Sequence, residues 1–430
     1  MIRILKLDEM PVEEILKREL PTVRAEKTVS GILQNVRERG DEALYAYTEQ
    51  FDGVKLDSLE VGEEDIQAAV REVGPEFMAL LSRAAANIRQ FHEKQLRTGF
   101  FFTRENGVLL GQRVVPLDRV GVYVPGGTAP LASTVLMDII PARIAGCSEV
   151  ILTTPPGKDG RIAPAVLAAA SVAGADRVFR IGGAQAIAAL AYGTETVPRV
   201  DKIVGPGNAY VTEAKRQVFG AVAIDMIAGP SEILVISDGG SDPRVLAADL
   251  LSQAEHDANA SAVLIADCPS LAQQTAQEIE RQLPLLSREK IARASIEQNG
   301  KIIITGSIEE AIEISNELAP EHLELAVDDP FSLLGKVRNA GSVFMGRSTP
   351  EALGDYMAGP NHTLPTGGTA RFSSPLSVDD FVKKIQVTAF PAAALEEVRQ
   401  DVADFAMAEG LDGHARSALI RGETGREETE

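Results

Sequence analysis

After Arg119 the chain alternates short runs of β-branched and aliphatic residues with Ala-rich helical stretches, and glycine-rich corners separate the two. That texture signals βαβ units around a mainly parallel sheet. The runs at 119–124 (RVGVYV), 149–154 (EVILTT), 177–181 (RVFRI) and 201–204 (DKIV) predict the strands of a first α/β unit. Those at 232–237 (EILVIS), 261–266 (SAVLIA), 301–305 (KIIIT) and 341–345 (GSVFM) predict a second. Residues 1–115 instead carry helix-period patterns, VEEILKREL and the run from Glu63 to Leu96 among them, with only short strand candidates. From Arg371 the strand alternation ceases, and the chain ends in the polar GETGREETE (422–430), expected to be mobile. The fold class expected is α/β: two successive Rossmann-like units with mainly parallel sheets, a helical N-terminal segment and an extended C-terminal segment. The expected boundaries are 1–115, 116–231, 232–370 and 371–430.

Composition narrows the function. A chain of 430 residues buries a core without disulfide staples. Its 42 Lys and Arg against 62 Asp and Glu give a net charge of −20, the wrong sign for a surface that neutralises nucleic-acid phosphates. With 45% hydrophobic residues and no uninterrupted apolar run of about 18, the chain reads as soluble and globular, neither disordered nor membrane-spanning. Asp8, Glu9, Glu13 and Glu14 sit where a secretory signal needs basic and apolar residues, so a cytoplasmic location is expected. Cys147 and Cys268 form neither a disulfide framework nor a CxxC motif, and both are expected to be inert core thiols.

Three strands of the first unit run into glycine corners: Pro125-Gly126-Gly127-Thr128, Gly182-Gly183-Ala184-Gln185 and Gly205-Pro206-Gly207-Asn208. Glycine there lets backbone N–H groups and a helix N-terminus approach an anionic ligand, as at strand ends of open α/β sheets. It also simply permits tight strand-to-helix turns. Three corners after successive strands favour a nucleotide site, although the GxGxxG spacing of dinucleotide folds is absent.

The five histidines are few enough to weigh singly. His256 follows Gln253 by three residues in a helical pattern, which places both on one face, where they could hold a divalent metal or belong to an ordinary surface. Glu321 and His322 are adjacent after Pro320: either two separately tuned proton acceptors, or a helix-start glutamate beside an incidental histidine. Asp355 and His414 read equally as loop residues. His92 reads as structural, and His362 as either loop ordering or catalysis.

Taken together, the sequence resembles the histidinol dehydrogenase family along nearly its whole length. The carriers are GVYVPGGTAPLASTVLM (121–137), GGAQAIAALAYGT (182–194), VGPGNAYVTEAK (204–215), AGPSEI (228–233), DLLSQAEHD (249–257), APEHLEL (319–325), GDYMAGPNHTLPTGGTARF (354–372) and EGLDGHARSA (409–418). The resemblance implies a zinc-dependent, four-electron oxidation of L-histidinol through the aldehyde to L-histidine, the last step of histidine biosynthesis, with NAD as co-substrate. It implies one zinc per subunit, held by Gln253, His256, Asp355 and His414, and Glu321 and His322 as the acid/base pair. NAD contacts would fall on Tyr123, Gln185 and Asn208 of the first α/β unit. Substrate contacts would fall on Ser231, Gln253, His256, His322, Asp355, Glu409 and His414. It further implies a homodimer in which residues 371–430 of one chain complete the partner's site, so that Glu409 and His414 serve the second chain.

Two rival classes remain at this stage. A non-catalytic nucleotide-binding protein would keep the glycine corners but has no use for the remaining constellation. A thiol-dependent aldehyde dehydrogenase would need an activated Cys147 or Cys268, and Cys147 has no neighbouring base in Ile144-Ala145-Gly146-Cys147.

Overall fold

A computed structural model of the chain describes residues 1–7, 9, 25–126, 130–227 and 229–424. The expected helix in VEEILKREL, part of the Gly126-Gly127 corner and most of the polar tail lie outside the described residues. Two compact units result, 1–96 with 117–381, and 97–116 with 382–430.

The first unit opens with β1 (Arg3–Lys6) and the helices α1 (Glu26–Arg39), α2 (Asp41–Asp52) and α3 (Glu63–His92). Acidic residues in the first turn of α3 and basic ones in its last complement the helix dipole. The helix breaks at Gly74 (φ 78°), directly before Pro75, whose ring cannot continue the hydrogen-bond ladder.

The strands β4 (Arg119–Tyr123), β5 (Glu149–Thr154), β6 (Arg177–Arg180), β7 (Lys202–Val204) and β8 (Ala223–Ile224) form a parallel sheet in the order β6-β5-β4-β7-β8. Helices α4 (Ala132–Ala145) and α5 (Pro164–Ala173) cover one face together with α3. The helices α6 (Gly183–Tyr192) and α7 (Ala209–Val218) cover the other with α1 and α2. With both faces covered, the strands read as continuous apolar runs.

A second parallel sheet has the order β1-β11-β10-β9-β12-β13. Its strands are β9 (Glu232–Ser237), β10 (Ser261–Ala266), β11 (Lys301–Ile304), β12 (His322–Ala326) and β13 (Ser342–Met345), joined by β1 at the edge. Helices α8 (Pro243–Ala254), α9 (Pro269–Gln282) and α10 (Glu289–Gln298) share a core with Ile233 and Val235. On the opposite face α11 (Ile308–Leu318) and α12 (Phe331–Leu334) pack on Leu234, Ile236, Leu323 and Leu325. Helix α13 (Glu351–Tyr356) follows β13. Strand β12 is absent from the sequence-based list because its apolar residues are interrupted by His322 and Glu324, both buried. No helix among the described residues is long and apolar enough to cross a membrane.

The second unit pairs β2 (Phe100–Thr103) and β3 (Leu109–Pro116) with β14 (Val382–Ala389) in an antiparallel sheet, followed by helices α14 (Ala392–Ala408) and α15 (Asp412–Leu419). Strand β14 corrects the expectation that strands end at Arg371. Most of its residues are exposed, so burial imposes no alternation on the sequence.

Candidate active site

The turn into β12 is built by Ala319, which among the described residues is the one non-glycine in the left-handed region (φ 47°), and by Pro320. Glu321 and His322 therefore stand at the N-terminal end of the second sheet, whereas ligands of open parallel sheets usually sit at the carboxyl ends. His322 Nδ1 lies 2.9 Å from the Glu232 carbonyl oxygen, which only accepts, so Nδ1 carries the hydrogen and Nε2 is left as the basic nitrogen. Burial pushes His322 down to about 4, against the opposing charge of Asp355, which keeps the ring neutral near pH 7. Glu321 Oε2 accepts the Glu232 N–H at 2.8 Å. Burial raises the Glu321 carboxyl well above the usual range, and the carboxylates of Glu232, Asp355 and Glu351 add to the rise.

Asp355 ends one turn of α13 after Glu351. Burial works to raise it, but the hydrogen bond and charge of His362, Nδ1 to Oδ1 3.2 Å, outweigh burial and hold Asp355 at about 2. Glu351 Oε1 lies 3.6 Å from His322 Nε2, and burial together with Asp355 pushes Glu351 up to about 8. The ligand atoms of His322, Glu351 and Asp355 all lie within 4.8 Å of one another. Of these three, Asp355 alone belongs to the ligand set that the resemblance implies.

Gln253 is buried near the end of α8, and its Oε1 has no hydrogen-bond partner among the described residues. The helix stops at Ala254, so His256 lies in the closing turn rather than on the helix as expected. Its N–H still reaches the Gln253 carbonyl at 3.2 Å, which preserves the spacing of three. His256 is exposed. Ser231 is half-buried at the entry to β9. His414 on α15 and Glu409 just after α14 belong to the second unit, and both are exposed.

The expected cofactor residues lie at the carboxyl ends of the first sheet. Tyr123 is buried, its hydroxyl accepts the Gly183 N–H at 3.2 Å, and burial pushes it up to about 12. Gln185 is buried with Oε1 lacking a partner among the described residues. Asn208 caps α7 by accepting the Tyr210 and Val211 N–H groups. At Gly205 (φ 112°) a Cβ would come within 2.1 Å of the Tyr123 carbonyl oxygen, so internal packing alone already demands glycine there. The orphaned Gln185 oxygen points to a ligand more directly than the glycines do.

Sequence reasoning passed over Glu351 and settled no role for His362. The spacing of four between Glu351 and Asp355 was the available signal for the first. The thiols lie elsewhere. Cys147 is buried and pushed up to about 11 by burial. Cys268, expected in the core, is half-exposed after the carboxyl end of β10, at the opposite end of the sheet from His322.

Comparison with known proteins identifies the family. The family model for histidinol dehydrogenase matches residues 16–422. A histidinol dehydrogenase of Geobacter sulfurreducens is 56% identical over 412 residues, 95% of this chain and 96% of the relative. One from Geobacillus kaustophilus is 54% identical over 407 residues, again 95% and 96% of the two chains. The crystal structure of histidinol dehydrogenase from Elizabethkingia anophelis matches with a TM-score of 0.93 at 39% identity, covering 99% of both chains. An acetylating aldehyde dehydrogenase from Geobacillus thermoglucosidasius shares the fold alone, with a TM-score of 0.50 and 15% identity over 86% of this chain and 98% of that one. By this identity and coverage, the chain belongs to the histidinol dehydrogenase family of oxidoreductases.

Proposed function

We propose that the chain oxidises L-histidinol to L-histidine through L-histidinaldehyde as the last step of histidine biosynthesis, in the cytoplasm, with zinc and NAD. The observation that carries this reading is His322: a neutral ring with Nδ1–H fixed on the Glu232 carbonyl and Nε2 turned toward Glu351, beside a buried Glu321. Gln253, His256 and Asp355, with the partner subunit's His414, would hold one zinc per subunit, which supplies a charged template for the substrate's amine and imidazole. The orphaned Gln253 oxygen and the ionised Asp355 fit that donor set. NAD, near Tyr123, Gln185 and Asn208, supplies the hydride acceptor for each of two steps.

His322 Nε2 takes the hydroxyl proton as the carbinol carbon loses its hydride. Glu321, anchored by the Glu232 N–H and made more basic by burial, takes a proton from the water that adds to the aldehyde. His322 then removes the proton of the hydrate as the second hydride leaves. Each turn converts one alcohol, one water and two oxidised nicotinamides into one carboxylate, two reduced nicotinamides and three protons. Ser231 and the partner subunit's Glu409 would complete the substrate contacts.

A panel of amino alcohols assayed with NAD, with metal content measured in the same sample, tests the reading. Selective turnover of histidinol by a zinc-loaded protein is expected. Preference for an alcohol without an imidazole would overturn the substrate assignment.

A further inference from the structure

The strand and two helices that present the site residues are joined, one level further along, by three acidic side chains. Glu324 stands two residues after His322 on β12 and on the same face, since Leu323 and Leu325 point into the opposite core while Ala326 packs with α8. Asp249 stands four residues before Gln253 on α8, and Glu351 four before Asp355 on α13. In a parallel α/β layer the helices run antiparallel to the strands. Four residues back along a helix, about 6 Å, therefore match two residues on along a strand, about 6.6 Å.

The contacts follow this level. Glu324 and Asp249 are hydrogen-bonded side chain to side chain. Glu324 Oε1 accepts the Glu351 N–H at 2.6 Å. Pro350, which precedes α13, makes no side-chain cap, so the strand residue Glu324 satisfies the first N–H of that helix instead. Glu324 is 3% exposed and Glu351 2%. A buried polar group of this kind costs stability unless its hydrogen bonds are made, and here both of them lead to elements that carry site residues.

We propose that Glu324 is a positioning residue: tied to Asp249 on α8 and to the first backbone N–H of α13, it sets the spacing among the helix presenting Gln253, the strand presenting His322 and the helix presenting Asp355. This rests on the reading of those three as site residues. Glu324 acts through other groups and touches no reacting atom, so what it must supply is one acceptor and one hydrogen-bonding partner for Asp249. A glutamine supplies both, its amide oxygen for the Glu351 N–H and its NH2 for Asp249. A leucine supplies neither.

The test compares Glu324→Gln and Glu324→Leu in the full chain, with kcat, KM for histidinol and for NAD, zinc affinity by chelator competition, and thermal midpoint. The glutamine variant is expected to stay near wild type. The leucine variant is expected to lose zinc affinity and kcat by about 10- to 100-fold, the scale of second-layer contacts to a metal site, with KM for NAD unchanged. If the leucine variant does not fold, Asp249→Ala against Asp249→Asn removes one arm alone, and zinc affinity should fall in the first and recover in the second. Unchanged zinc affinity and kcat in the leucine variant, or in Asp249→Ala, overturns the proposal. So does a glutamine variant as damaged as the leucine variant, which would make Glu324 an ionising participant. A wild-type chain that neither binds zinc nor turns over histidinol overturns the site reading and the proposal together, whereas an active wild type with an indifferent Glu324 overturns the proposal alone.

Discussion

His362 Nδ1 stands 3.2 Å from Asp355 Oδ1, and the other ring nitrogen of His362 stands 3.1 Å from the Thr134 hydroxyl. A carboxylate held near 2 only accepts, so Nδ1 donates to it and the ring is pinned between two partners. The neighbours of His362 tie the same loop to α4. Asn361 donates to the Met137 carbonyl at 2.6 Å, and the Thr363 hydroxyl donates to Asp138 at 2.7 Å. Asp355 is thereby oriented from a helix of the first sheet. His362→Ala is expected to weaken zinc retention about 10- to 100-fold, and Thr134→Val to shift it less in the same direction, both read by chelator competition. Retention equal to wild type in His362→Ala would show that Asp355 is oriented without it.

The two carboxyl and imidazole roles separate by step. Glu321→Gln is expected to slow oxidation of supplied histidinaldehyde more than oxidation of histidinol to the aldehyde, because water activation enters only the second half. His322→Asn is expected to slow both strongly. Single-turnover measurement of each half resolves them, and equal losses in both halves for Glu321→Gln would reduce that carboxyl to a structural one.

Asp138, hydrogen-bonded to the loop that carries His362, gives a pH signature. Burial pushes its carboxyl from 3.8 up to about 7, with Asp225 adding to the rise and Thr363, His362 and Lys215 opposing it. Between those values the folded chain keeps a proton that the unfolded chain has released. Stability from this group is therefore full below about pH 3.8, falls as pH rises toward 7, and is constant above. Asp138→Asn keeps an acceptor for Thr363 and removes the titration, so its thermal midpoint should change less between about pH 5 and about pH 7.5 than that of the wild type. Parallel midpoint curves for the two proteins would contradict the assignment.

The parallel strands were legible because burial on both faces leaves continuous apolar runs such as EILVIS and SAVLIA, whereas the residues alone left Glu321, His322, Gln253 and Asp355 with ordinary structural readings open, and only the family resemblance gave them roles. Strand β12 was not legible, since the rule that polar residues face water fails where His322 and Glu324 are buried. Strand β14 was missed for the opposite reason, its exposure. The contacts of Glu324 with Asp249 and Glu351 span 75 and 27 positions and arise only when antiparallel helices settle on the strand, so no local spacing announces them.

Glu409 and His414 give the assembly prediction, since the proposal assigns them to the partner's site. Mixing His322→Asn with His414→Asn under conditions of subunit exchange should restore about a quarter of wild-type activity, because half the dimers are mixed and one of their two sites receives neither defect. No recovery despite demonstrated exchange would place His414 in its own subunit's site.

The count of reduced nicotinamide per histidinol tests the central claim most directly. With limiting L-histidinol and excess NAD, the account predicts two NADH and one L-histidine for each histidinol consumed, about twice the yield of a simple alcohol oxidation. One NADH per histidinol with aldehyde accumulating in solution would contradict it.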